Sequence, residues 1–160
     1  MRSLHSLSTV LLALTLQTAL VQGQQLAIQT ETGKQTLMSR TDLEALPHVK
    51  VTTGPASSST TFEGIALRSA LEKAGVDIAT LKGKRLALCL LVEAADGYRV
   101  VFALPELDSA FTDRQVILAF LKDGKPLDDK EGPYRIVVPD EKRMARWVRQ
   151  VTKLRIVDVQ

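Results

Sequence analysis

Seven apolar residues in a row, Leu86 to Val92, stand between Arg85 and Glu93. The run is too short for a core helix, and Asp96-Gly97, a dipeptide that favours tight hairpins, follows it. It predicts a strand buried on both faces and paired through that turn with Tyr98–Leu104. A chain that puts its most apolar segment into a hairpin must build a sheet and cover it. Aromatics are only 4% of the 160 residues against 45% apolar overall, so Leu, Val, Ile and Ala must do most of the covering. That length holds one domain. With 24% charged residues, the composition excludes a disordered or collagen-like chain.

The remaining segments extend the same pattern. Leu26–Thr30 and Gln35–Met38 are predicted to pair across Thr32-Gly33-Lys34. Thr41-Asp42-Leu43-Glu44 has the form of a capping box that starts a short helix before Pro47. His48–Thr53 alternates as a strand does, and Gly54 to Thr61 is small, polar and loop-like. Leu67, Ala70, Leu71 and Ala74 form the buried stripe of a helix over Ala66–Ala74, with Gly75 as its stop. Pro105 opens a short helix to about Ala110, and Gln115–Leu121 and Tyr134–Val138 are strands around the Asp123–Pro126 turn. Met144, Trp147, Val148 and Val151 have helical spacing, which predicts an amphipathic helix over Glu141–Gln150 before a last strand from Leu154 to Val159. The expected fold is an α+β domain with a mixed β-sheet and short helices. Residues 24–160 are expected to form one globular unit, in which 24–60 supply the first strands, a short helix and the loop, and 61–158 the main domain.

Residues 1–23 have the form of a secretory signal: a basic start at Arg2, an apolar stretch from Val10, and small residues Val21 and Gly23 before a cut at Gln24. The expected location is periplasmic or secreted, with no membrane insertion after cleavage. Removal leaves His48 as the only histidine and Cys89 as the only cysteine. One of each supplies neither a disulfide nor a zinc cage, so no metal ligands are expected. Twenty basic residues then face 18 acidic ones. The surplus is uneven: from Lys142 onward six basic residues (Lys142, Arg143, Arg146, Arg149, Lys153, Arg155) accompany a single acid, Asp158. Such an end can hold an anion. It lacks the interleaved aromatics of a single-strand nucleic-acid groove, and there is no P-loop or dinucleotide fingerprint. Nucleic acid is not an expected partner.

Five segments, in order, resemble one family. Phe62-Glu63-Gly64-Ile65 through Ala74-Gly75-Val76 is similar to its "W/F-x-G-v-x-L-x-x-L-L-x-x-A-G" stretch, and Asp96-Gly97-Tyr98 to its "DGY" turn. Asp123-Gly124-Lys125-Pro126-Leu127 resembles "N-G-x-x-L". Gly132-Pro133-Tyr134-Arg135-Ile136-Val137-Val138-Pro139 resembles "G-x-P-x-R-l-v-v-P", and Arg143-Met144-Ala145-Arg146-Trp147 resembles "K-x-x-K-W". Together they resemble the molybdopterin-binding domain of the sulfite oxidase type. The resemblance implies that fold, a molybdopterin cofactor, and basic residues at Arg135, Arg143 and Arg146 holding a pterin phosphate or a substrate anion. Planar guanidinium forks suit that task. On the predicted helix, Arg143 and Arg146 share a face. Asp96 and Tyr98 are candidate polar contacts at the turn.

The same resemblance places a molybdenum-binding cysteine shortly before Phe62-Glu63-Gly64. Here that stretch, Val51 to Thr61, contains no cysteine; Ser57–Ser59 offer hydroxyls instead. Cys89, inside the apolar run, has the surroundings of a core cysteine. The expectation is therefore a cofactor-free accessory module that binds a small anion or a protein partner. The alternatives are an active molybdopterin-dependent oxidoreductase, or a subunit of one, and a sensory input domain for a membrane protein.

Overall fold

The computed structural model describes residues 25–139 and 141–159. The signal segment 1–23 and the cut before Gln24 lie outside the described residues. Ten strands and two helices run in the order β1 (Leu26–Gln29), β2 (Gln35–Met38), α1 (Arg40–Glu44), β3 (His48–Thr53), β4 (Thr60–Ala66), α2 (Leu67–Lys73), β5 (Leu88–Ala94), β6 (Arg99–Ala103), β7 (Ile117–Lys122), β8 (Lys125–Pro126), β9 (Arg135–Val137) and β10 (Val151–Asp158). They form two sheets rather than one. The first has the order β2-β1-β10-β5-β6, and it is mixed because β1 runs parallel to β10. The second has the order β3-β4-β7-β8, with β9 also on β7, and is antiparallel throughout. Both feed one continuous hydrophobic core, mostly aliphatic, with Phe102, Phe120 and Tyr134 fully buried in it.

The hairpin of Leu88–Ala94 with Arg99–Ala103 forms as expected, but the apolar run is not a strand throughout. Gly83–Ala87 is a 3-10 turn, and β5 then alternates: Leu88, Leu90, Val92 and Ala94 are buried, Cys89, Leu91 and Glu93 half-buried. The strand is therefore covered on one face only, which corrects the two-faced expectation and takes Cys89 out of the core. At α1 the cap is Ser39, not Thr41. Its hydroxyl accepts from Asp42 N–H at 3.2 Å, and the Asp42 carboxylate accepts from Ser39 N–H at 2.9 Å. The Ser39 hydroxyl also donates to that carboxylate at 2.6 Å, and this bond first, with the Ser39 N–H bond second, holds the Asp42 carboxyl below its ordinary pKa. Helix α2 buries Leu67, Ala70 and Leu71 as its spacing predicts, and packs on β4 and β7. It closes with Gly75 at φ +96° and paired bonds, Gly75 N–H to Glu72 O and Val76 N–H to Leu71 O.

The predicted helix over Glu141–Gln150 does not form; only Met144–Arg146 makes a 3-10 turn. Tertiary partners take the backbone groups a helix would need. Val148 O accepts from Ile136 N–H, Gln150 N–H donates to Glu131 O, and Gln150 O accepts from Ala95 N–H. The Trp147 indole donates to Val138 O at 3.0 Å. Gln150 itself has φ +50°, outside the helical region. Trp147, Val148 and Val151 are buried as expected, but Met144 is 67% exposed. The segment is a strap that ties the second sheet's β9 to the β5–β6 turn of the first. The expected helix after Pro105 is likewise only a 3-10 turn, Leu104–Leu107.

Candidate functional site

The strap closes one side of an open cleft of about 550 Å³. Asp96 and Tyr98 line it from the β5–β6 turn, Asp129 and Lys130 from the β8–β9 loop, and Met144, Ala145 and Trp147–Gln150 from the strap. Each wall is fixed. Asp96 accepts from Tyr98 N–H at 2.9 Å, and the Tyr98 hydroxyl donates to Ala145 O at 2.8 Å. The Gln150 amide donates to Asp129 O at 2.6 Å. Two sequence candidates, Asp96 and Tyr98, thus meet in one cleft with the basic C-terminal segment.

The arginines do not meet there as a set. Arg143 is exposed at the start of the 3-10 turn, and with no helix it shares no helix face with Arg146. Arg146 turns to β6 and the 104–107 turn. Its Nε donates to Glu141 at 2.7 Å, its Nη2 to Glu106 at 3.2 Å, and its guanidinium lies 4.4 Å from the Phe102 ring centre. Burial works to lower its pKa, but the bonds to Glu141 and Glu106 outweigh that and raise it. Arg135 is only 8% exposed. It pairs with Glu131, which Lys122 also contacts at 3.2 Å. The rings of Phe62 and Trp147 lie 5.2 and 5.6 Å from its guanidinium, and its Nε has no hydrogen-bond partner. Burial lowers its pKa despite Glu131.

Cations missed or undervalued in the sequence are the ones that reach the cleft. Arg149 and Lys130 both line it, both are exposed, and neither has a carboxylate partner among the described residues. The basic tail pointed toward Arg149; Lys130, inside the run Asp128-Asp129-Lys130-Glu131, gave no such signal.

Thr52 and Thr61, directly opposite in the β3–β4 hairpin, share a hydroxyl–hydroxyl bond of 3.0 Å, and Ser57–Ser59 are exposed at its tip. Cys89 lies on β5, in the other sheet. His48 sits on β3 with Glu63 at 3.0 Å from Nδ1 and Glu44 O at 3.1 Å from Nε2. The Glu63 bond raises its pKa. Among the described residues no cluster of three or more His, Cys, Asp or Glu side chains could hold a metal ion.

No curated protein matches the chain. Among solved structures, the fold is similar to the sulfane dehydrogenase SoxCD from Paracoccus pantotrophus, with a TM-score of 0.65 and 23% identity. The match covers 84% of this chain but 38% of that one. Residues 32–160 match the family described as oxidoreductase molybdopterin binding domain. With the family's turn and arginine segments placed as above around two sheets and a strap, the chain belongs to the oxidoreductase molybdopterin-binding domain family.

Proposed function

We propose that this chain is an exported member of that family that works without molybdenum, as an accessory module for a small anion or a protein partner. The observation that carries the reading is the separation of its only thiol from the hairpin. The resemblance puts the metal ligand in the segment from Val51 to Thr61, which holds threonines and serines, while Cys89 belongs to the other sheet. An exposed, un-ionised hydroxyl is a weak substitute for a soft thiolate. The donor set is therefore a poor fit to the family's cofactor. The arginines agree with this, because Arg135 and Arg146 already neutralise internal carboxylates. A phosphate could recruit them only by breaking those pairs. Lys130 and Arg149 carry no such obligation and make the cleft the natural anion site.

The test is elemental analysis of the protein purified from its native exported compartment. The expected result is no molybdenum. A stoichiometric amount per chain would overturn the reading and direct substitution to Ser57–Ser59 and Cys89. The intact mass of the same sample tests export: it should correspond to a chain beginning at Gln24, and a mass that retains residues 1–23 would refute cleavage there.

A further inference from the structure

Most of this protein's arginines are spoken for. Arg40, Arg68, Arg85, Arg114, Arg135, Arg146 and Arg155 each lie within 4 Å of a carboxylate. Among the described residues Arg99, Arg143 and Arg149 have none. Two of them belong to the neighbourhood of one cleft: Arg149 lines it and Arg143 precedes the lining residue Met144, whereas Arg99 stands opposite Glu93 in the β5–β6 ladder. Lys130 lines the cleft and Lys142 stands next to Arg143, likewise without described partners. Two lining acids, Asp96 and Asp129, balance Lys130 and Arg149, so the positive surplus comes from Arg143 and Lys142 beside the lining residue Met144.

The cleft offers more than charge. Met144 is 67% exposed and Tyr98 48% exposed, and both line it. The Tyr98 ring is held by its bond to Ala145 O, so it presents apolar surface with little entropy left to lose. A small oxyanion has no use for an exposed methionine and a clamped tyrosine. Protein interfaces do: Tyr, Met and Arg are enriched there, with apolar anchors inside a charged rim.

We infer that the cleft and its rim are a docking surface for an acidic protein segment carrying an apolar side chain, with Lys130, Arg149 and Arg143 steering and Tyr98 and Met144 as anchors. The inference rests on the accessory-module reading for its purpose and names that module's partner. Its charge argument stands whether or not molybdenum is bound, so the two can fail separately.

The experiment is a titration of the 15N-labelled protein with a Glu- and Asp-rich peptide bearing leucines. The comparisons are its Gln/Asn counterpart, sulfate alone and phosphatidylglycerol vesicles. The acidic peptide should shift the amides of Tyr98, Lys130, Ala145 and Arg149, bind more weakly as salt rises, and lose at least about tenfold in affinity to the K130E/R149E variant. Both substituted residues are exposed and unpaired, so the fold should tolerate the change, and an unchanged amide spectrum outside the cleft checks it. M144A should weaken the leucine-bearing peptide and not sulfate. Shifts confined to other surfaces, equal binding of the uncharged peptide, or no binding at low salt would overturn the inference. So would sulfate alone saturating the same amides with the peptide adding nothing, which marks a small-anion site, or binding of vesicles without peptide, which marks a lipid surface.

Discussion

Arg135 and Arg146 are both arginines with carboxylate partners, and their surroundings give those pairs different weights. Glu131 is 15% exposed beneath Arg135, whereas Glu106 is 32% exposed beside Arg146. Removing one member of a buried pair strands the other charge. E131Q should therefore lower stability by about 3 kcal/mol, read from the urea midpoint. The E131L/R135M double variant should recover most of that loss, and failure to recover would mean that packing, not charge, dominates. E106Q should cost under about 1 kcal/mol, because solvent screens that pair and Glu141 remains. None of this was legible in the chain. Glu131 stands four residues before Arg135 without a helix to align them, and Glu106 lies forty residues from Arg146. His48 is a second single-residue case. Its folded pKa is raised above the ordinary 6.5, by Glu63 first. Its contribution is thus complete below the unfolded value and lost as pH rises through the folded one. Lys50, which also pairs with Glu63, keeps that carboxylate occupied throughout. Thermal melts should show a shallow fall in stability as pH rises from the unfolded pKa, and H48Q should flatten it.

At the scale of elements, the β3–β4–β7 ladder depends on one position. A Cβ on Gly64 would stand 2.1 Å from Leu118 O and 2.6 Å from Ala119 Cα, both backbone atoms of β7. The register slips at this point, Glu63 opposing Leu121 and Gly64 opposing Ala119. G64A must push β7 away and should cost about 3 kcal/mol or leave the protein unfolded; a denaturant midpoint within error of the parent would refute the close approach. This gives a steric reason for the glycine in the Phe-Glu-Gly segment. Elements whose signals were local were legible: the two hairpins, β3 to the residue, and α2 with its glycine stop. Those decided by distant partners were not. The helical spacing of Met144, Trp147, Val148 and Val151 is real, yet bonds from Ala95, Ile136 and Glu131 outbid the helix. Of the candidate site, Asp96 and Tyr98 were legible because a turn signal fixes where a turn goes. Lys130 was not, because nothing in its own segment says which surface the loop faces.

For the whole molecule, the strap makes the two sheets depend on each other. Trp147, the only tryptophan, meets Phe62 of the second sheet edge-on at 5.9 Å, and its neighbours bond to the first sheet's turn. Tryptophan fluorescence and far-UV circular dichroism should therefore report the same unfolding transition. Two separated transitions would mean that the sheets unfold independently. W147A should lower the common midpoint by an amount corresponding to ~3–5 kcal/mol. The parallel pairing of β1 with β10 bears on how the protein meets a surface. Leu26 begins β1 beside the start of β10, which is also where Ala94 leads β5 into the cleft-lining turn. Asp158 ends β10 at the opposite end of the sheet, about 23 Å away along a strand of eight residues. A molecule tethered through its last residues to a sensor chip would hold the cleft outward, toward the flowing solution. The same molecule tethered just ahead of Leu26 would turn it toward the matrix.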